Sequence, residues 1–552
     1  MGSQVTETGP FVLTNKHNIG KADSPIHLNA LDTVLENYPN QETAEFLGNG
    51  FRFGFRIPFE GPRVGRFSKN HPSAVKSPDI INCKLAEEVR LGRIAGPFNS
   101  PPFEDLIISP LGLVPKSTPG EWRMIFDLSF PKGKSVNAGI PPDEATVQYT
   151  KFDEITRIIR EEGPGCSLIK VDIKSAFRLI PINPDDFDLL GMCFEGNYYV
   201  DKCLPFGLSV SCAIFEKFSC FLEWAIKDHA ATKQIIHYLD DFCAGDKNSK
   251  RAGEILSKIL QFFAYLGVPV AKEKIEGPAT NLKFLGLEID TVQMLVKIPQ
   301  DKLIDLNQVI DDTIGKYRHK ITLKDLQSLI GKLSFACRAV VPGRAFLRRL
   351  IDATIGVKLP HHHIRVTNAM LQDLLVWQQF LKEFNGSSMI TQSWSHATYF
   401  NLYTDAAGTE GFGAFLDNQW TNGKWPRDFK SGRMLKDITF KELFPIVLAI
   451  YLWGDNFVNQ KVLFHCDNQA VVTIINRQTS KSKRTMHLVR LLVSYCLGRN
   501  IAFRAVHIPG AKNGIADALS RFQFRKFRRL APHAQKKKTP IPVNLLNKLR
   551  PR

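Results

Sequence analysis

The sequence predicts an α+β multidomain protein. Three observations carry this: a length of 552 residues, short β-rich runs interleaved with apolar-periodic helical stretches, and a helical segment separating two such mixed regions. A chain this long exceeds a single core and suggests about three or four domains. Its 44% apolar and 23% charged residues are those of an ordinary globular protein. No run approaches the roughly 18–20 uncharged apolar residues that cross a bilayer. The N-terminal MGSQVTETGPFVLTNKHN lacks the apolar stretch of a secretory signal. The expectation is an intracellular protein, in the cytoplasm, the nucleus or both, with no membrane partner.

Residues 1–78 are rich in Gly, Pro, Asn and Phe (GNGFRFGFRIPFEGPRVGRF) and show little sustained periodicity. They read as a largely irregular extension packed through its aromatics. CKLAEEVRLGRI reads as a helix ended by Gly96-Pro97. LGLVPK and EWRMIFDLS flank the turn STPG as a hairpin. SLIKVDI is a buried strand with an acid at its end, SVSCAIFEKFSCFLEWAIK a helix, and IIHYLDDFCAGD two short strands folded back around an acidic tip. These elements fill 79–295. Helical residues 296–358 follow, with Thr322 as the cap of one helix. A connector spans 359–393, where HHH at 361–363 reads as a polar loop. A second β-rich region runs over 394–524 from Trp394, and a basic tail over 525–552 is expected to be disordered until it meets a partner.

The ten cysteines show no C-x-x-C spacing, so they read as reduced, mostly buried thiols of an intracellular protein. The net charge of +18 favours a polyanionic partner. Eleven Lys and Arg lie between Arg521 and Arg552 with no acid, and their removal still leaves +7. The tail reads as either a nuclear-import signal or a nucleic-acid arm.

In IIHYLDDFCAG, two adjacent carboxylates interrupt an apolar strand. Neighbouring strand residues face opposite ways, so a straight strand would bury one of them. A tight turn presents both at a hairpin tip. Asp172 ends the apolar run SLIKVD, which should deliver it to a sheet edge. Three carboxylates gathered there would repel one another and need cations. Two Mg²⁺ ions about 4 Å apart would offset the repulsion and suit phosphoryl transfer. The competing reading, that each Asp is a turn residue, fits any one of them alone but not the ordered set.

VDIKSAF, LPFGLSVSCAIF, YLDDF, AKEKIEGPATNLKFLG and the pair Lys116 and Arg123 stand in the order and rough spacing of retroelement reverse transcriptases, which residues 80–290 resemble. The resemblance implies a right-hand polymerase with fingers and palm over 79–295 and a thumb over 296–358. It implies Asp172 and Asp240 as main metal ligands, with Asp241 beside the primer end. Phe177 falls at the steric-gate position that rejects a ribonucleotide. Lys116 and Arg123 match residues that hold the triphosphate of a dNTP. Phe206 and Gly207 begin the helix beneath the template–dNTP pair, and Lys274 matches a lysine that protonates pyrophosphate. FLG at 284–286 resembles a primer-grip hairpin. Ser175 and Cys212 depart from the wider family at positions outside the metal chemistry. The thumb's Lys316, Arg318, Lys320, Lys332, Arg338, Arg344, Arg348 and Arg349 are expected to follow the hybrid backbone, the alternative being a solvated charged face.

In the second β-rich region, NLYTDAAGTEGFGAF reads as a strand ending in Asp405. Glu442 lies near the start of a helix, Asp467 closes KVLFHCD, and Asp517 sits in HIPGAKNGIADALSR. Singly, Glu442 fits a capping box with Thr439, and Asp467 fits a helix N-cap. Together they resemble a retroviral-type ribonuclease H over about 396–522, an α/β domain whose four acids hold two Mg²⁺ ions. By that resemblance His507 assists proton transfer or product release, and Asn513 is the adjacent family asparagine. The implied cofactor is Mg²⁺, two per centre, with Mn²⁺ as a substitute. The implied partners are RNA template, DNA primer, RNA–DNA hybrid and dNTPs.

EVRLGRIAGPF, SPLGLVPKSTPGEWRMIFDLS, the CLPFGLS…SCAIFEKF form and HIPGAKNGIADALSR resemble the DIRS/Ngaro group of tyrosine-recombinase retrotransposons. No tyrosine recombinase, aspartic-protease D-[ST]-G or integrase zinc motif is found, which fits a chain confined to polymerase and nuclease, or a truncated one. A gypsy-like or pararetroviral enzyme is another reading. The alternative of a different class is a catalytically silent, nucleic-acid-binding relic, against which the presence of all seven acids counts.

Overall fold

The computed structural model describes residues 15–116, 120–317, 319–384, 387–389, 399–430 and 436–550. The Ser117–Pro119 part of the predicted turn, Arg318 and Trp394 lie outside the described residues. The chain divides into two compact units, Met1–Leu282 with Thr291–Gln293 and Lys283–Asp290 with Met294–Arg552. Both mix helices with sheets.

The centre of the first unit is a four-stranded antiparallel sheet ordered Glu276–Ala279, Ser167–Asp172, Asp241–Asp246, Ile235–Tyr238. Its middle strands are buried on both faces, which explains runs such as SLIKVD with almost no polar alternation. Helices Phe152–Glu162 and Ser249–Leu266 pack on it, and Ser211–His229 packs on the strand Ile235–Tyr238. The helix Ser249–Leu266 has clear stop and start chemistry. Asn248 accepts bonds from the Lys250 and Arg251 amides, and Gly267 closes the other end at φ +77°.

A five-stranded sheet, ordered Arg66–Phe67, Ile107–Ile108, Gly191–Phe194, Asn197–Asp201, Ile94–Phe98, forms a second layer of this unit. Beside it the predicted hairpin is present, with Leu111 opposite Phe126 and Pro115 opposite Trp122. The helix predicted to end at Gly96-Pro97 stops earlier, at Arg90. Gly92 turns the chain at φ +70°, and Gly96-Pro97 lie inside the next strand, at a register shift against Asn197–Asp201.

The expectation of a largely irregular residues 1–78 is corrected. Leu28–Leu35 and Gln41–Phe53 are helices, the second capped by Asn40 on the Thr43 amide. Their Leu31, Leu47 and Phe51 join the same apolar core as the central sheet. The Phe51 ring meets Phe55 at 5.1 Å and Phe218, from the helix Ser211–His229, at 4.9 Å. The signal was masked by glycines, which lower helix propensity but are needed here: a Cβ on Gly50 would sit 2.3 Å from the Phe55 ring. Polar anchoring adds to this. The fully buried Asp186 accepts from Arg56, Arg63 and the Ile57 amide, and the equally buried Asp188 pairs with Arg63 and Lys16.

In the second unit, the strands Leu287–Asp290 and Leu295–Lys297 are followed by helices Gln300–Gly315, Leu323–Ala336, Arg348–Ala353 and Asn368–Phe384. Thr322 caps the second of these helices on the Asp325 amide, as predicted. His363 opens a strand that pairs with Lys320–Thr322. Three of the basic residues assigned to a hybrid-tracking face are ion-paired within the unit: Lys332 with Asp305, Arg348 with Asp352 and Arg349 with Asp373.

A five-stranded mixed sheet follows, ordered Gln419–Lys424, Gly411–Leu416, Phe400–Ala406, Lys461–Cys466, Ala502–His507. The first three strands run antiparallel and the last two parallel to Phe400–Ala406. The almost wholly buried helix Ile438–Trp453 packs on its central strands.

The disordered tail is also corrected. Phe524–Leu530 and Val543–Leu549 are helices. Phe527, Ala531 and Ala534 share a core with Phe415, Trp420 and Leu519. The segment is laced to the edge strand, with Trp420 Nε1 donating to the Gln535 carbonyl at 2.8 Å and Thr421 Oγ1 to the Thr539 carbonyl at 2.9 Å. Charge dominated the composition and hid the spacing of Phe524, Phe527 and Leu530.

Membership of the N-terminal helices in the core predicts a large cost for Phe51→Ala. Truncating a buried Phe removes its transfer free energy and leaves a cavity, about 3–5 kcal/mol. The denaturant midpoint of the full chain is expected to fall accordingly, and an unchanged midpoint would detach this segment from the core.

Candidate active sites

The first acidic centre is built by backbone register. Asp241 lies directly opposite Asp172 across two antiparallel strands. Leu239 and Asp240 form the two-residue loop between Tyr238 and Asp241, and the Ile173 amide donates to the Asp240 carbonyl at 3.0 Å. A two-residue hairpin loop requires positive φ, and Leu239 supplies it at +52° despite its branched side chain. Such strain, about 1–3 kcal/mol, persists where surrounding structure over-determines it. The predicted convergence of Asp172, Asp240 and Asp241 is therefore present.

Lys274 joins them. Its Nζ donates to both carboxylate oxygens of Asp172 at 3.0 Å, and its turn is fixed by the Ala271 amide on the Asp172 carbonyl at 2.9 Å. Bonding to Asp172 raises the Lys274 pKa. Burial raises that of Asp240 and pushes Asp241 up to about 6, with Asp172 and Asp240 adding to the effect and Lys170 opposing it.

Phe177 lies buried in the short helix Ala176–Leu179, which follows Asp172. Phe206 covers it, with ring centroids 5.0 Å apart, and is itself 69% exposed. The expectation that Phe206 and Gly207 begin a helix is corrected: the helix starts at Ser211. Gly207 lies in the preceding turn, where its carbonyl accepts from Asn137 Nδ2 at 2.9 Å. A Cβ there would sit 1.9 Å from the Phe126 carbonyl oxygen, so only glycine fits. Lys116 and Arg123 stand on the hairpin, Lys116 paired with Glu121 at 2.9 Å. Leu285 and Gly286 both take positive φ in the FLG turn.

The second centre gathers acids from four elements. Asp405 lies in the central strand, Glu442 in the buried helix, Asp467 just beyond the strand Lys461–Cys466, and Asp517 in the helix Gly514–Ser520. All four line one cavity of about 610 Å³. Neither single-residue capping reading holds. Asp437, not Thr439, caps the helix carrying Glu442, and Asn468, not Asp467, caps the next.

Burial pushes Glu442 up to about 9, reinforced by Asp405 and Asp467. Its Oε2 is buried without a hydrogen-bond partner. Burial likewise pushes Asp405 up to about 6, a bond from Ser520 Oγ opposing it. Asp517 behaves oppositely. Burial would raise its pKa, but Arg521 Nε at 2.6 Å and Lys526 Nζ at 3.0 Å hold it below the usual carboxylate value. Ser520, Arg521 and Lys526 were missed from the sequence. The first two directly follow ADAL, and Lys526 stood hidden in the tail's charge. His507 Nε2 lies 3.1 Å from the Asp467 carbonyl. Asn513 is buried and donates to the Thr404 carbonyl at 2.8 Å, next to Asp405. Both predicted neighbours of the acids are thus in place.

Residues 114–289 match the family model described as reverse transcriptase (RNA-dependent DNA polymerase). That segment is similar to reverse transcriptase domains. It contains the whole first centre and ends well before the second. Among curated proteins, the chain is 27% identical over 337 residues to the Gag-Pro-Pol polyprotein of mouse mammary tumor virus, covering 58% of this chain and 17% of that protein. It is 21% identical over 424 residues to the transposon Tf2-3 polyprotein of Schizosaccharomyces pombe, covering 75% and 29%. The chain thus spans less than a third of the length of these retroelement polyproteins. Solved structures of the foamy viral protease–reverse transcriptase, in complex with RNA/DNA hybrid and with dsDNA, superpose with TM-scores of 0.49 and 0.47 at 16% identity. They cover 87% of this chain in both cases, and 62% and 97% of those chains.

The electrostatics of the second centre give a prediction for stability. A carboxyl whose folded pKa is raised from 4.5 to about 9 stabilises the fold below pH 4.5, and loses that contribution as pH rises through 9. Glu442→Gln is therefore expected to raise the melting midpoint by about a few degrees at pH 8 without divalent metal, and to change it little near pH 4.5. Mg²⁺ should stabilise the wild type more than the variant at pH 8. Thermal melts at the two pH values check both statements.

Proposed function

We propose that the chain is an RNA-directed DNA polymerase with ribonuclease H activity from a retrotransposon. The observation that carries the proposal is the convergence of Asp172, Asp240 and Asp241 at one sheet edge and of Asp405, Glu442, Asp467 and Asp517 around one cavity. Both donor sets are carboxylate oxygens, which suit hard cations. The partnerless Glu442 Oε2 and the raised pKa values of Glu442 and Asp405 favour an added cation, because Arg521 and Lys526 pair with Asp517 and not with these two. Two Mg²⁺ ions per centre, or Mn²⁺ in their place, would supply Lewis acidity and nucleophile activation when bound.

The chain's own groups supply the rest. In the first centre, Asp172, Asp240 and Asp241 would hold the ions with their carboxylates. Lys274, an ammonium already held at Asp172, is placed to give a proton from Nζ to departing pyrophosphate. Lys116 and Arg123 bring positive charge for the triphosphate of a dNTP, and Lys116 must exchange Glu121 for it. The Phe177 ring, supported by Phe206 and Phe215, excludes the 2′-hydroxyl of a ribonucleotide. Phe206 and Gly207 bound the surface beneath the templating base.

In the second centre, the four acids would hold the ions, and His507 Nε2 is positioned to carry a proton or assist release of the cleaved RNA. Asn513 fixes the backbone beside Asp405. RNA template, DNA primer and their hybrid are the partners of this reading, and the surplus of 72 Lys and Arg over 54 Asp and Glu favours them. We further assign the chain to the DIRS/Ngaro type on its EVRLGRIAGPF and HIPGAKNGIADALSR motifs. A tyrosine recombinase in the neighbouring reading frame tests that assignment. The reaction is placed inside the cell, in the cytoplasm, the nucleus or both.

Primer extension on an RNA template with Mg²⁺ tests the activity directly. Asp240→Asn is expected to lower extension by about 100-fold or more while hybrid cleavage survives, and Asp405→Asn to do the reverse. Hybrid binding with no extension by the wild type would replace this proposal with the silent relic. Phe177→Val is expected to let ribonucleotides compete with dNTPs, read as the ratio of their kcat/KM values.

A further inference from the structure

A third cluster of ligating side chains lies in the first unit, away from the carboxylates assigned above. Glu216 and Cys220 are one helical turn apart on the helix Ser211–His229, and His237 faces them from the strand Ile235–Tyr238. His237 Nε2 lies 3.3 Å from Glu216 Oε1 and 3.9 Å from Cys220 Sγ. One ligand atom from each falls within 4.8 Å of the others. Tetrahedral N, O and S ligands at about 2.0–2.3 Å from an ion stand roughly 3.3–3.7 Å apart, close to this spacing.

Two details point to an ion rather than a plain ion pair. Nε2 carries at most one hydrogen, yet both Glu216 and Cys220 converge on it, and Glu216 Oε2 is buried with no hydrogen-bond partner. The other ring nitrogen is already oriented as metal-bound histidines require. Nδ1 lies 2.5 Å from Glu223 Oε2, which also accepts from the His237 amide at 3.0 Å. Glu223 is in turn held by Lys227. Cys220 is exposed, which leaves an entry path and an open coordination position.

We propose that Glu216, Cys220 and His237 form a Zn²⁺ site, with Glu223 as the positioning residue behind the histidine. A thiolate and an imidazole select a borderline-soft ion over Mg²⁺. The site ties the helix to a strand that ends two residues before Asp240, and it fixes the approach to the Leu239–Asp240 loop.

The test uses the full chain, stripped with chelator and titrated with Co²⁺ as a spectroscopic stand-in for Zn²⁺. About one equivalent is expected to produce a thiolate-to-cobalt charge-transfer band that Zn²⁺ removes and excess Mg²⁺ does not. Cys220→Ser, at an exposed position, should abolish the band. Glu223→Gln should keep it while weakening binding about 10- to 100-fold. Cys466→Ser serves as control, because Cys466 stands near Glu442 and Asp467, and it should leave the band unchanged. Absence of the band in the wild type, its survival in Cys220→Ser or its loss in Cys466→Ser overturns the proposal.

Discussion

Mutual repulsion of carboxylates in poorly solvated places is the constraint around which both units are organised. Each unit brings acids together at the end of a buried strand, where the backbone is rigid and water is scarce. Bringing them there raises proton affinity, as Asp241, Asp405 and Glu442 show. The fold tolerates that cost because the strands carrying the acids are anchored elsewhere by apolar burial. A site optimised for stability alone would have replaced Glu442 with an apolar or amide side chain.

Each centre also carries internal cations, and they are not spread evenly. In the first, Lys274 takes both oxygens of Asp172. In the second, Arg521 and Lys526 take Asp517, leaving Glu442 with an unpartnered oxygen. The outcome is a gradient within each site: one acid ion-paired and oriented by lysine or arginine, the others without such a close pair among the described residues. Under the proposed function, the ion-paired acid is oriented in advance, which would lower the entropic cost of assembling a cation site there. The other acids would supply the attraction.

The parts legible in the sequence share a physical cause. A strand buried on both faces must be apolar throughout, so an acid at its end stands out against SLIKVD, KVLFHCD or IIHYLDD, and the paired strands, the hairpin and the Thr322 cap follow from similarly local rules. What escaped depends on distant partners. Gln41–Phe53 carries glycines that read as breakers, yet Gly50 is there to admit the Phe55 ring. The Glu442 capping box was a plausible local pattern defeated by Asp437, whose side chain accepts from the Phe440 amide. The tail's charge concealed aromatic residues that meet Trp420 and Phe415 only after folding.

The tail illustrates how far composition can mislead about function. A run of eleven basic residues invites a reading as a detached arm, yet Arg521 and Lys526 reach Asp517, while Arg528 donates to the Ala534 and Lys536 carbonyls and stacks over Trp420 at 5.3 Å. Several of its charges are therefore committed within the fold. An arm must leave its cations free for phosphate, because a guanidinium already bonded to backbone carbonyls has to give up those bonds to release a counterion's worth of binding. Under the proposed function, phosphate contacts from this region would fall to residues such as Lys536 and Lys537, whose side chains stand exposed, and less to the Arg528 helix itself. That helix instead serves the acidic centre it borders, through Lys526 on Asp517.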